Sequence, residues 1–138
     1  MSPQQFFLLL SSLLLFPLAL GQQNPTISFI TKERIASIGD TLDISCSVQY
    51  ARNYPVIWAK IDRNNRENIL FISDRSSLSI PDHRYSIRHD DASSTYTLQI
   101  SKIQEIDAGI YQCQVATSDS SRVTASECLP LSNLSTSG

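Results

Sequence analysis

The chain has no Cys-x-x-Cys pair and no His-x-x-x-His pair, so its three cysteines and two histidines lack the close ligand spacing from which structural zinc sites are usually built. A metal would have to recruit Cys46, Cys113, Cys128, His83 and His89 from scattered positions. No nucleophile-elbow glycine pattern and no phosphate loop accompanies the Ser, His and Asp residues. The expectation is therefore a protein that is not an enzyme and has no cofactor and no metal. With a net charge of −2 and a pI near 5.6 the chain has no basic stripe of the kind phosphate backbones require, so nucleic acid is not an expected partner. Beyond residue 21 no apolar run is long enough to span a bilayer, and the C-terminus carries no hydrophobic tail of the lipid-anchor type.

The one long apolar run lies at the start. Phe6 to Leu20 is interrupted only by Ser11, Ser12 and Pro17, and Ala19-Leu20-Gly21 places small residues at the cleavage-determining positions. This predicts a secretory signal peptide over 1–21. The run is about 15 residues, short of the roughly 20 a membrane helix needs, although the absence of Lys or Arg before it leaves a retained signal anchor as the alternative. Residues 22–127 then form one domain, secreted or extracellular, and 128–138 a polar, divergent tail.

Cys46, Trp58 and the run Asp107-Ala108-Gly109-Ile110-Tyr111-Gln112-Cys113 define the architecture. Their order and spacing fit an all-β immunoglobulin sandwich, in which a disulfide joins two antiparallel sheets and a tryptophan packs on it. A tyrosine two residues before the second cysteine fixes the corner. Two free buried thiols are the bland reading of the same cysteines. Closing this loop stabilises by about 4 kcal/mol in the chain-entropy account, a large part of a typical total of roughly 5–15.

Short alternating segments with turn signals between them complete the pattern. Leu42, Ile44, Cys46 and Val48 form one inward set, with Gly39-Asp40 as the turn before it. Tyr96, Leu98 and Ile100 form another. Arg84–Arg88 alternates again, and Asp90 to Ser94 supplies the connection. Tyr111, Cys113 and Val115 point inward, Arg122 to about Glu127 closes the sandwich, and Thr26 to about Ile38 opens it. Val56–Ile61 and Asn68–Ser73, joined by the polar turn Asp62 to Glu67, occupy the place of the extra edge strands of the variable-type form. Gly109 is expected in a tight turn. The arrangement of Arg84 and Asp107 resembles the variable-type pattern in which these two pair at the bottom of the sheet, a structural role alongside Trp58 and Tyr111.

If Trp58 faces the core, alternation sends Ile57, Ala59 and Ile61 to the opposite face, with Gln112 and Gln114 from the neighbouring strand. Scattered surface aliphatics are ordinary, but three on one strand flanked by amides fit an interface centre, which is depleted in charge. Either Ile69 and Phe71 or Leu70 and Ile72 would extend the patch.

Several stretches carry a more specific likeness. Asn24 to Ile30, Cys46 to Ala51, Ser93 to Ile100 and Asp107 to Val115 resemble the opening immunoglobulin domain of the lachesin family, insect neuronal and epithelial adhesion proteins related to the IgLON group. The likeness covers residues 24–127. It implies homophilic or heterophilic pairing with another immunoglobulin-domain cell-surface protein, and further domains and a lipid anchor that this sequence does not contain. Cys128 is left over, open to intermolecular pairing, to reactivity, or to no role in an altered terminus. Asn133-Leu134-Ser135 is an N-glycosylation acceptor. Two other readings remain: a soluble antagonist of such adhesion, and a secreted immune-type binder using the loops Tyr50–Pro55 and Thr117–Ser121.

Overall fold

Period-two burial builds both sheets. The computed structural model describes residues 23–32, 35–51, 53–117 and 121–129, with the side chains of 126–129 excepted. In β2 (Leu42–Gln49) the residues Leu42, Ile44, Cys46 and Val48 are buried and their neighbours look outward. Strand β8 (Thr95–Ile100) runs antiparallel to β2, with Ile44 opposite Leu98 and Cys46 opposite Tyr96. β1 (Thr26–Ile30) and β7 (Tyr85–Asp90) flank them, giving the order β1-β2-β8-β7.

The second sheet has the order β10-β9-β3-β4, from β3 (Val56–Ile61), β4 (Ile69–Phe71), β9 (Gly109–Ala116) and β10 (Arg122–Leu129). A short hairpin of β5 (Ser73–Asp74) and β6 (Ser77–Leu78) stands beside it. Each ladder between these strands is antiparallel, and the chain is an all-β sandwich of the immunoglobulin variable type.

Cys46 and Cys113 are joined across the sheets with Cα atoms 6.4 Å apart, closing a loop of sequence separation 67. Trp58 lies directly opposite Cys113 in the β3–β9 ladder, and all three residues have no accessible surface. Ile72, Leu98, Ile100, Ile103 and Val115 fill the space around them. The Trp58 Nε1–H has no hydrogen-bond partner among the described residues, a cost that apolar packing must offset.

Three expectations are corrected. The opening strand ends at Ile30 and not near Ile38, with only a single-residue bridge at Ala36 beyond it: the register shifts between Ile27 and Phe29, and Thr31 makes a last contact with β2 through its backbone N–H to Ser45 O at 2.9 Å and its hydroxyl, which accepts from Ser45 N–H at 2.8 Å. Segment 68–73 is not one strand. Ile72 turns fully into the core, its N–H donating to Trp58 O at 2.8 Å, and the chain continues into the β5–β6 hairpin. Gly109 does not sit in a turn but begins β9, and its constraint comes from Lys60. A Cβ there would stand 2.9 Å from Lys60 Cε and 3.3 Å from the carbonyl oxygen of Ile61. Lys60 shares the inward phase of Trp58 and escapes burial by laying its stem over Gly109 and donating Nζ to the Ile106 carbonyl. Burial holds its pKa below the ordinary lysine value.

At the bottom of the sandwich, a 3-10 turn at Glu105–Asp107 delivers Asp107 to a position where it is 1% exposed. Arg84 donates to both of its carboxylate oxygens, Nη1 at 2.5 Å and Nη2 at 2.9 Å. Tyr85 Oη at 3.1 Å and the Gln104 N–H at 2.7 Å complete the shell. Burial pushes the carboxyl pKa up, but the hydrogen bonds from Arg84, the Gln104 N–H and Tyr85 outweigh it and hold Asp107 below the usual carboxylate value. Tyr111 Oη donates to the Asp107 carbonyl at 2.6 Å, tying strand β9 to this corner. Burial raises the Tyr111 pKa far above the ordinary tyrosine value, so the hydroxyl stays a donor.

Replacing Cys46 and Cys113 together by Ala should lower unfolding stability by about 4 kcal/mol in denaturant titration. Asp107→Ala takes the buried acceptor from the Gln104 N–H and the Tyr85 hydroxyl and leaves the Arg84 guanidinium, among the described residues, with only Asp82 and the Lys102 carbonyl, with an expected loss of about 3 kcal/mol. Because the folded pKa of Asp107 is depressed, its contribution is present above the unfolded pKa of about 4 and is lost as pH falls through the lower folded value. Chemical denaturation measured from neutral pH to below pH 3 should therefore show an acid limb that is flatter in Asp107→Ala.

Candidate partner-binding face

The inward indole of Trp58 fixes the phase of β3. Ile57, Ala59 and Ile61 stand on the outer face, where the ladder sets Ile57 opposite Gln114, Ala59 opposite Gln112 and Ile61 opposite Ile110. On the other flank Ala59 faces Phe71 and Ile61 faces Ile69. That register decides between the two extensions open in the sequence. Ile69 and Phe71 continue the patch at 41% and 46% exposed, while Ile72 is core and Leu70 lies opposite Lys60.

Two members of the expected face are not open to a partner. Ala59 has no accessible surface although it is not part of the core cluster, because its methyl lies in the central strand between the longer side chains of Gln112 and Phe71. Gln114 is 4% exposed because Arg122 lies over it. Arg122 donates Nη1 to Gln114 Oε1, and Gln114 Nε2 donates to Gln112 Oε1 at 2.6 Å. The guanidinium carbon comes 5.7 Å from the centre of the Phe71 ring. The accessible part of this outer face thus consists of Ile57, Ile61, Ile110, Gln112, Ile69 and Phe71, with Arg122 across its upper part.

Ile110 and Arg122 were missed in the sequence. Ile110 was legible, since it precedes inward Tyr111 by one residue. Arg122 was not, because its reach across β9 and β3 depends on the sheet order. Among the described outward positions of this sheet it is the one charge.

The outer face of the other sheet differs. Ser45 and Thr97 share a hydrogen bond of 2.8 Å, as do Ser47 and Thr95, and Asp43 accepts from Gln99 Nε2 and Arg88 Nη2 at 2.9 Å each. On β2, β8 and β7 its groups are polar and paired with one another, while Phe29 of the edge strand β1, opposite Ser47, is left 51% exposed. Asn133, the side chain of Cys128, the run 1–21 and loop residues 118–120 lie outside the described residues.

Fold and corner residues together define the class: the chain belongs to the immunoglobulin V-set domain family, whose pattern matches residues 31–128. More particularly, it is 54% identical over 110 residues to Lachesin of Schistocerca americana and 50% identical over 106 residues to Lachesin of Drosophila melanogaster, matches that take in 80% and 77% of this chain. Protein amalgam of Drosophila melanogaster is 36% identical over 104 residues, 72% of this chain. These findings bear out the likeness read from residues 24–127. The matches take in 32%, 28% and 31% of those proteins, so the chain spans about a third of their length. A similar fold occurs in the crystal structure of Dpr1 IG1 bound to DIP-eta IG1, with a TM-score of 0.65 and 23% identity over 78% of this chain and 95% of that one.

Arg122→Ala should uncover Gln114 and Phe71 at a cost of about 0.5–1 kcal/mol, the scale of an exposed cation–π contact, measured by denaturant titration.

Proposed function

We propose that this chain is an extracellular recognition module of lachesin type, which pairs with another immunoglobulin domain through the outer face of the β10-β9-β3-β4 sheet. The observation that carries this reading is the asymmetry of the two outer faces. One sheet covers β2, β8 and β7 with paired hydroxyls, an amide and an ion pair, and leaves Phe29 exposed on its edge strand. The other presents four isoleucines and a phenylalanine beside a single cation. An edge strand exposing Ile69, Leu70 and Phe71 invites association unless it is covered.

A face of this kind fits a standard specific interface, about 800 Å² per partner. Two identical copies would meet about a twofold axis, each offering the same patch to the other, and a related domain would present a complementary one. The lachesin likeness and the crystallised pairing of the first immunoglobulin domains of Dpr1 and DIP-eta support the choice of an immunoglobulin domain as partner. The half-buried core of the patch supplies affinity, and Gln112 supplies direction through its amide. No step of chemistry is required of the face.

The test uses sedimentation velocity over a concentration series, alone and mixed with a lachesin opening domain. Ile57→Asp and Ile61→Asp should each abolish the complex and leave the thermal transition within a few degrees of the parent. Unfolding of both variants would place these side chains in the core, and pairing that survives both would move the interface elsewhere.

A further inference from the structure

A pocket of about 430 Å³ opens at the loop end of the sandwich, away from the outer face just described. It is lined by Asn53 and Tyr54 from the loop before β3, Arg75 and Ser76 from the β5–β6 turn, His89 of β7 and Tyr96 of β8. Its size lies within the range of small-molecule sites, roughly 300–1,000 Å³. The imidazole of His89 stacks on the Tyr96 ring with centroids 4.0 Å apart and planes 10° from parallel.

Arg75 is the decisive residue. Its φ of 56° lies in the left-handed region, where glycine is at ease and an arginine is strained. Its backbone N–H donates to Val56 O at 2.9 Å, and among the described residues its guanidinium hydrogen-bonds the Asn53 carbonyl alone, at 3.4 Å. Among the described residues no carboxylate forms an ion pair with it. The nearby acid, Asp91, faces His89 Nδ1 at 3.3 Å and is itself 96% exposed in its side chain, outside the lining. The pocket therefore offers a guanidinium fork, two phenols, an imidazole, an amide and a hydroxyl, with no carboxylate in the wall.

We infer that this pocket binds an acidic saccharide, with its carboxylate or sulfate on the Arg75 guanidinium and its ring against the aromatic side chains. A planar fork pairs bidentately with either anion. An acidic peptide side chain would use the guanidinium alone. A pyranose also uses the aromatic faces for its C–H surface, and Asn53 and Ser76 for its hydroxyls.

Titration calorimetry on the full chain tests this with four probes: a sulfated heparin tetrasaccharide, an unsulfated uronic-acid disaccharide, neutral maltose and a tetraglutamate peptide. At least one acidic sugar should bind, with NMR shifts at the Tyr96 and His89 rings, and which one binds identifies the anion. Arg75→Gly suits the backbone and removes the fork, so it should keep the thermal transition and weaken binding about tenfold or more. Arg75→Lys keeps the charge and should recover only part of it. Ile57→Asp should bind the sugar as the parent does, which separates this site from the pairing face. Failure of both acidic sugars, equal binding of maltose, or an Arg75→Gly variant that binds unchanged overturns the proposal. Tetraglutamate binding as tightly as the acidic sugars overturns it in favour of a peptide carboxylate.

Discussion

The contact on which the molecule depends is that of Trp58 with the sulfur bridge. The indole lies opposite Cys113 in the ladder, so the disulfide and the largest core side chain occupy the same layer of the sandwich. A strand has only two phases, and a one-residue slip would turn every side chain of β3 to the other face. Burying an indole rather than Ile57 or Ala59 decides that phase. It then sets, through the ladders, which residues of β4 and β9 share the outer surface.

From this constraint follows the unequal treatment of the two sheets. Both bury an inner face in the common core. On the outer side, β2 and β8 place Ser, Thr, Asp and Gln where water reaches them, and these groups also satisfy each other. β3, β4 and β9 place aliphatic and aromatic groups there, and the amides among them are held by Arg122 and by one another. An apolar surface with its few polar groups already oriented loses little on desolvation and has little side-chain freedom left to lose. That is the physical basis for reading it as a partner's surface.

The polar cluster at the bottom serves another end. Asp107 gathers donors from β7, from the 3-10 turn and from its own neighbourhood, and Tyr111 anchors the next strand to the same residue. A buried carboxylate with a full set of donors is a structural joint, since no lone pair is left to act on a ligand. Lys60 illustrates the same economy of the interior. Its phase points it inward, and its length lets the ammonium leave for the Ile106 carbonyl while its stem rests on Gly109.

The sequence by itself determined the sandwich, the disulfide and the inward indole, because each rests on residue type, on spacing and on a period of two that local sterics impose; the Arg84–Asp107 joint was legible only through its likeness to the variable-type pattern. Alternation also sent Ile57 and Ile61 outward, and the same rule held Ile110 in plain view. Tertiary structure alone decided that Ile69 and Phe71, not Leu70 and Ile72, continue the patch, since register between strands distant in sequence depends on which side chain fills the core. It also decided that Ala59 and Gln114 are covered, that Gly109 yields to a lysine stem, and that Arg75, His89 and Tyr96 share one pocket. Those facts depend on the lengths of neighbouring side chains and the order of strands, and neither is written in the spacing of a single segment.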